Sequence, residues 1–598
     1  TASRMQILDN SDVQFEVAGT VRFKMQTSSR ISLGNNDSSG NIYNTIFGRL
    51  AGDSIASGAT SNTLIGYASG DAITTGSQNT AIGESALSAT DDGASNVAIG
   101  NSAMGVGNAG SANTAVGSQS MIDVTGNYNT AVGMQSLFDL TSGVSNIAVG
   151  ALAMKFSNGG ESNNVAIGVE AMRDVKENGN TADSNIALGS LAMTGGTLGG
   201  DFIGNIAIGD RAMDATDTNA QTGTIAIGHH SLSALTSGDG NVALGYHSAK
   251  SMTTGQRNVV IGYQAGDAMT IATRSVAIGY GALGTEDVGD RSIAIGFNAL
   301  HSQNSDSNNE TTGNVGIGVE AGFYNQTGQF NTLIGTGAGL GASGQSNSQN
   351  TAVGYASLNV VTTGGNNVAM GMNSLKALTS GTENVALGYA SGDTVTTGTK
   401  NTCIGYNTDV SDAGAINRTG LGNGITLGAN NSVVLGNNDV TDVYMAQDSG
   451  ATVHADKYLS TTNPAFQVQN SADHLNIAVG STYIDKTFDT EIFDQGSNFA
   501  SNVFTAPVTG KYLLISKLAF QSADATDAVL YNLLVTSNRS YSTLGGGGLD
   551  ADTVIHLDVT VVADMDANDT AKVQYRQIGG SAQADVVTSS FFAGYLLG

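Results

Sequence analysis

The chain has 598 residues, a formal net charge of −27 and no basic run, which excludes nucleic acid as a partner because phosphates demand clustered Lys and Arg. It carries 81 Gly, 2 Pro and only 12% charged residues, a composition compatible with disorder, yet apolar residues recur in strict register and exclude that reading. Its one cysteine excludes an intrachain disulfide, and no apolar run approaches the roughly 18 residues of a membrane-spanning helix, so no membrane insertion is expected.

Residues 1–43 are read as an N-terminal cap or attachment segment. They hold two alternating strand candidates at 12–17 and 20–25 with a glycine turn between them, then a degenerate first coil at 30–35. The start at Thr1, without initiator Met or signal peptide, reads as a processed chain or a fragment.

Residues 44–436 form the repeat shaft. The unit around Asn96, Ala98, Ile99, Gly100 and Met104 recurs in about 21 copies with glycines mostly about 17 residues apart, the mark of a β-solenoid. Each slot has a physical reading. The residue before Gly is apolar in every copy, from Phe47 through Ile99 to Ile404, as expected for one buried position per coil. The slot before it is mostly Ala, so whatever faces it must come close.

Asn stands four residues before Gly, as in Asn79, Asn96 and Asn113, except where Thr224, Ser275 and Ser292 replace it. All these side chains can hydrogen-bond a neighbouring backbone. Stacked about 4.8 Å apart in parallel strands they would form an Asn ladder, giving a rod roughly 100 Å long. Gly100 and its equivalents supply the conformational freedom a corner needs. Inserts at 176–183, 194–204 and 303–312 are expected to project as loops.

These Asn-x-Ala-Ile-Gly repeats resemble the head repeats of trimeric autotransporter adhesins and related repeats of bacteriophage tail fibres, with Asn431, Val433, Leu435 and Gly436 in the nearest copy. The resemblance implies a left-handed parallel β-roll packed as a homotrimer, with the Ala slot letting three rolls approach a common axis. The autotransporter form would carry a C-terminal membrane-barrel anchor, and none follows here, which favours the phage-type reading.

Residues 437–464 are a connector. From 465 to 598 the period vanishes, aromatics become dense, and strand candidates at 512–516, 529–535, 554–561, 571–575 and 589–597 predict an all-β sandwich. Phe488, Asp494, Phe499, Phe504, Gly510, Tyr512 and the ending 590–597 resemble the C1q and tumour-necrosis-factor jelly rolls. That resemblance implies a second, independent tendency to threefold assembly.

Catalytic constellations are not found: there is no nucleophile elbow in strand-to-helix context and no His-Glu-x-x-His, so no enzyme is expected. A carboxylate pair assembled from distant coils would leave no sequence trace, which keeps a polysaccharide depolymerase as a third reading. Cys403 occupies an Ala slot and reads as a small packed residue. His230 and His247 each follow their Gly by two residues and should stack, with His229 beside them, as candidate metal ligands; otherwise no metal or cofactor is expected. Loop residues Arg539, Tyr541 and Asp550 are the candidate receptor contacts.

The expectation is an extracellular homotrimeric fibre in a virion tail. Its C-terminal head would recognise a host-surface glycan or protein, and its N-terminus would join other virion or filament proteins. The alternative is an extracellular filament or surface adhesin component whose head mediates assembly.

Overall fold

A computed structural model describes residues 43–175, 180–196, 199–215, 220–305, 307, 310–443, 463–521, 528–546, 553–580 and 583–597, together with the backbones of four N-terminal strands. The chain divides into two compact units, Thr1–Val443 and Tyr444–Gly598. All regular structure among the described residues is β.

The N-terminal strands Arg4–Ile7, Val13–Val17, Thr20–Met25 and Ile31–Ser32 form an antiparallel meander. Ile31–Ser32 pairs antiparallel with Lys24 and Met25, so the segment read as a degenerate first coil belongs to this sheet. Its nearest neighbour in the chain offers a partner at the smallest cost in closure entropy.

From Thr45–Phe47 to Ser432–Leu435 runs one parallel ladder of three- and four-residue strands, one per coil. Pairing is in register, so that Ala81, Ala98 and Ala115 lie opposite one another. Coil lengths vary, with successive ladder asparagines 16 to 21 residues apart, and the turns absorb the difference. Not all inserts project outward. Phe202 is fully buried, the Phe202–Ile203 strand pairs in parallel with Gln221–Thr222, and Gln303 and Thr312 face the interior.

The Asn ladder is continuous over most of this length. The Asn96 amide donates to Asn79 Oδ1 and the Asn113 amide to Asn96 Oδ1, each at 2.9 Å. Each Asn Nδ2 also donates across the coil to a turn carbonyl: Asn96 to Gly110 at 2.7 Å and Asn113 to Gly126 at 2.8 Å. One buried side chain therefore ties its own strand to the adjacent coil and to the opposite turn.

The replacements behave as their reach allows. Thr224 still donates to Gly238 at 3.2 Å, whereas the buried Ser275 hydroxyl has no partner. Ser292 falls back on Thr312 at 2.7 Å and on Gln303 Nε2 at 3.0 Å, and Gln303 in turn meets the buried carboxylate of Glu286 at 2.6 Å.

Period-two alternation then sorts the strand. Asn96 and Ala98 point inward and are fully buried, while Val97 and Ile99 point outward and remain partly exposed. Two expectations are corrected by this. Ile99 and its equivalents are not the buried position of the coil. Ala98 is fully buried in the interior of its own coil beside the column of Leu87 and Met104, in a slot that elsewhere holds buried Leu64, Val260 and Leu333, so it does not line an axis between chains. At Gly100 an added Cβ would collide with the Gly117 carbonyl, which explains the invariance of that slot.

Each coil also turns through non-glycine residues in the left-handed region, Ser95, Ser102 and Met104 having φ of 61°, 53° and 50°. Such residues cost roughly 1–2 kcal/mol each, and Gly occupies the Ser95 slot at Gly204, Gly223, Gly240 and Gly313.

In the second unit two antiparallel sheets form a jelly-roll sandwich. One runs in the order Thr490–Gln495, Ala465–Gln469, Phe591–Leu596, Gly510–Gln521, Ile555–Met565; the other Phe499–Ala500, Val503–Thr505, Thr570–Ile578, Val529–Thr536, Ser540–Gly546. First and last strands lie side by side in the middle of a sheet. Between the sheets Phe466 stacks on Phe504 at 4.6 Å and meets Phe592 edge to face at 4.8 Å, and buried Asn532 donates to the Leu557 and Ser516 carbonyls at 2.7 and 3.1 Å. Asp494 accepts from the Asn498 and Phe499 amides, and the Tyr512 hydroxyl donates to Val508 at 2.8 Å, fixing two corners.

Two outcomes are expected. Asn96→Ala strands the Asn113 amide and the Gly110 carbonyl and should destabilise the solenoid by roughly 2–5 kcal/mol, seen as an early thermal transition. Lys400→Gly relieves a φ of 61° and should leave the melting temperature unchanged or raised.

Candidate binding surfaces

Outward-facing columns run along the solenoid. The slot before Gly exposes Val132, Ile167, Leu244 and Met370 among others, and the slot after Gly continues the apolar stripe with Met134, Val169 and Met372. Between Tyr246 and Phe297 that second column becomes aromatic. Tyr246, Tyr263, Tyr280 and Phe297 stack nearly parallel, with centroids 5.0, 5.4 and 5.2 Å apart, each 40–48% exposed. Stacked rings cover one another's faces and present their edges, so this column offers a flat apolar rim rather than open platforms for ligand stacking. The spacing of these aromatics, one after each Gly in successive coils, was visible in the sequence.

His229 continues the column, stacking on Tyr246 at 5.2 Å, and places Nε2 at 3.4 Å from Asp210 Oδ2. His230 and His247 meet edge to face at 5.5 Å instead of stacking, while His247 lies on Tyr246 at 3.8 Å. Burial pushes both imidazoles below the ordinary histidine value, aided by neighbouring His229 for His230 and by Lys250 for His247. Among the described residues no group of His, Cys, Asp or Glu is arranged to hold a metal ion.

Two other ionisable sites lie in the solenoid. Cys403 is 1% exposed, and burial pushes its thiol up to about 12, beyond reach of thiolate chemistry near neutrality. Burial, followed by the hydrogen-bonded like charge of Asp409, pushes the Asp393 carboxyl up to about 6.

In the jelly roll, Lys486 is fully buried, donates to the Thr487 carbonyl at 2.9 Å and is pushed down to about 8 by burial. The candidate contacts are not brought together. Arg539 sits in an exposed turn, its amide held by Thr536 Oγ1 at 3.0 Å. Tyr541 lies on the Ser540–Gly546 strand, packed against the core, and Asp550 lies outside the described residues.

Two surfaces that sequence reasoning missed are built by the fold. A groove of about 530 Å³ opens on the first sheet, lined by Phe493, Ile515, Phe591 and Tyr595 among others. On the second sheet Arg576 lies against Tyr483 and Tyr531, its Cζ 4.3 and 4.5 Å from the ring centroids. No local motif announced either, since strand pairing alone unites residues so far apart.

No family model and no curated protein matches the chain. Solved structures that align with part of it include the globular domain of zebrafish complement 1qA, at 17% identity and a TM-score of 0.18 over 23% of this chain and 98% of that one. Murine APRIL at pH 8.5 aligns at 13% identity and a TM-score of 0.18 over 23% and 99% of the two chains.

Asp393 binds its proton more tightly folded than unfolded, so its burial lowers stability as pH rises from about 4 to about 6 and remains unfavourable above. Asp393→Asn should raise the melting temperature at pH 7.5 and change it little at pH 4; equal shifts at both would exclude this origin.

Proposed function

We propose that this protein is a structural, receptor-binding fibre of the extracellular space, a homotrimer whose solenoid serves as shaft and whose C-terminal jelly roll recognises a host-surface glycan or protein. A phage tail fibre is the particle we assign it to, joined through its N-terminal segment to other virion proteins.

The observation that carries this reading is the uncovered apolar stripe of the solenoid. A stripe roughly 100 Å long and about 10 Å wide presents about 1,000 Å², above the roughly 800 Å² per partner of a standard interface. Isolated exposed apolar residues are ordinary, but continuous columns of this length mark an interaction surface. Further copies of the same chain suit it, because a partner with the same coil repeat meets every step of the ladder in register. The groove beside Phe493 and Tyr595 supports self-association of the jelly roll as well. It also favours the second reading, an extracellular filament or surface adhesin component in which that domain mediates assembly.

Light scattering on the full chain should give a mass near three chains. Tyr263→Glu with Tyr280→Glu, which places like charges on the exposed rim, should shift that mass toward one chain while far-ultraviolet dichroism stays unchanged. A monomeric unmodified chain would exclude the trimeric fibre. Binding of the full chain to candidate host cells, with no association beyond three chains, would separate recognition from assembly.

A further inference from the structure

We infer that Arg576 is an anchor for a carboxylate-bearing ligand, such as an acidic sugar, on the outer face of the second jelly-roll sheet. This deepens the recognition role proposed above and rests on it.

The site is made by strand register. Tyr531 pairs with Arg576 on one side and with Leu544 on the other, and the pairing of Ile484 with Tyr575 brings Tyr483 beside Arg576. The Tyr483 and Tyr531 rings stand 81° apart with centroids 6.1 Å from each other. With Arg576 Cζ at 4.3 and 4.5 Å from them, the two rings meet the guanidinium from directions close to a right angle. They form a corner, not a sandwich, and two walls fix the group through cation–π attraction.

Nη1 donates to the Ser481 carbonyl at 3.0 Å, which sets the rotation of the fork. Nε is buried with no partner, Nη2 has no hydrogen bond to a described residue, and no carboxylate lies within ion-pair distance among the described residues. In a chain with 50 acidic and 23 basic residues, a held and unpaired guanidinium is out of keeping with its surroundings. The neighbouring Lys572, by contrast, is neutralised by Asp485 at 2.8 Å.

Buried Nε is out of a ligand's reach, so the donors left for a planar carboxylate are Nη2 and the second hydrogen of Nη1, which share the guanidinium plane, and preorganisation by the two rings reduces the ordering cost of binding. Leu544, 63% exposed in the same cross-strand row, provides an apolar contact for the body of the ligand.

The test is saturation-transfer NMR on the full chain with D-glucuronate, with D-glucose as the neutral control and sulfate as competitor. Transfer to glucuronate and none to glucose is expected. Arg576→Gln should weaken the contact by about tenfold to a hundredfold, the loss of a charged hydrogen bond. Arg576→Lys keeps the charge and the packed stem, guards against loss through misfolding, and should still weaken binding about tenfold because the planar fork is gone.

Absence of transfer to glucuronate, transfer unchanged in both variants, or displacement by sulfate as effective as by glucuronate itself would overturn the assignment. Cell attachment is a separate readout, so a fibre that recognises its host by other residues would fail this test while still binding cells.

Discussion

The hydrogen bond from one ladder amide to the preceding Asn Oδ1 is the interaction on which the solenoid depends. It forces the inward side chain of every coil to the same height and depth as its neighbour's, and once that column is fixed the strand's alternation determines the rest. Ala must point inward with Asn, the flanking aliphatics must point outward, and the glycine corner must approach the next corner too closely for a side chain. A buried amide would be costly unsatisfied; here its oxygen takes the next amide and its nitrogen takes a turn carbonyl, so the same group that could weaken the core welds three parts of it together.

The same constraint produces the surface. In-register stacking turns any residue repeated at one slot into a straight column, so a preference for aliphatics before Gly becomes an apolar stripe and tyrosines after Gly become a stack. Close stacking also brings equal charges from neighbouring coils together, as at Asp393 and Asp409, where one carboxyl holds its proton well above the ordinary range. The interruption at Ser292 is repaired locally, by a substitute network of Gln303, Thr312 and Glu286, whereas that at Ser275 leaves the hydroxyl without a partner.

Much of this was legible in the repeat. The period and the Asn slot identify a parallel solenoid, and the aromatic density after 465 identifies a sandwich. The orientation of Ala98 and Ile99 was misassigned because hydrophobicity was weighed ahead of alternation: Asn96 and Ala98 have the same parity, so an inward ladder already required Ile99 to face outward. The left-handed turns at Ser102 and Met104 carry no composition signal, since packing, not propensity, imposes them. The Arg576 corner joins positions 483, 531 and 576 and exists only once the sheet has formed.

Hydrogen exchange on the full chain, resolved to single coils, addresses the central claim most directly. The account predicts that the slowest amides recur once per coil at the ladder asparagines, including Asn96, Asn113 and Asn384, with faster exchange around Ser292, where the ladder is interrupted. Uniform protection through each coil, or slow exchange confined to the outward strand residues with rapid exchange at the asparagines, would contradict it.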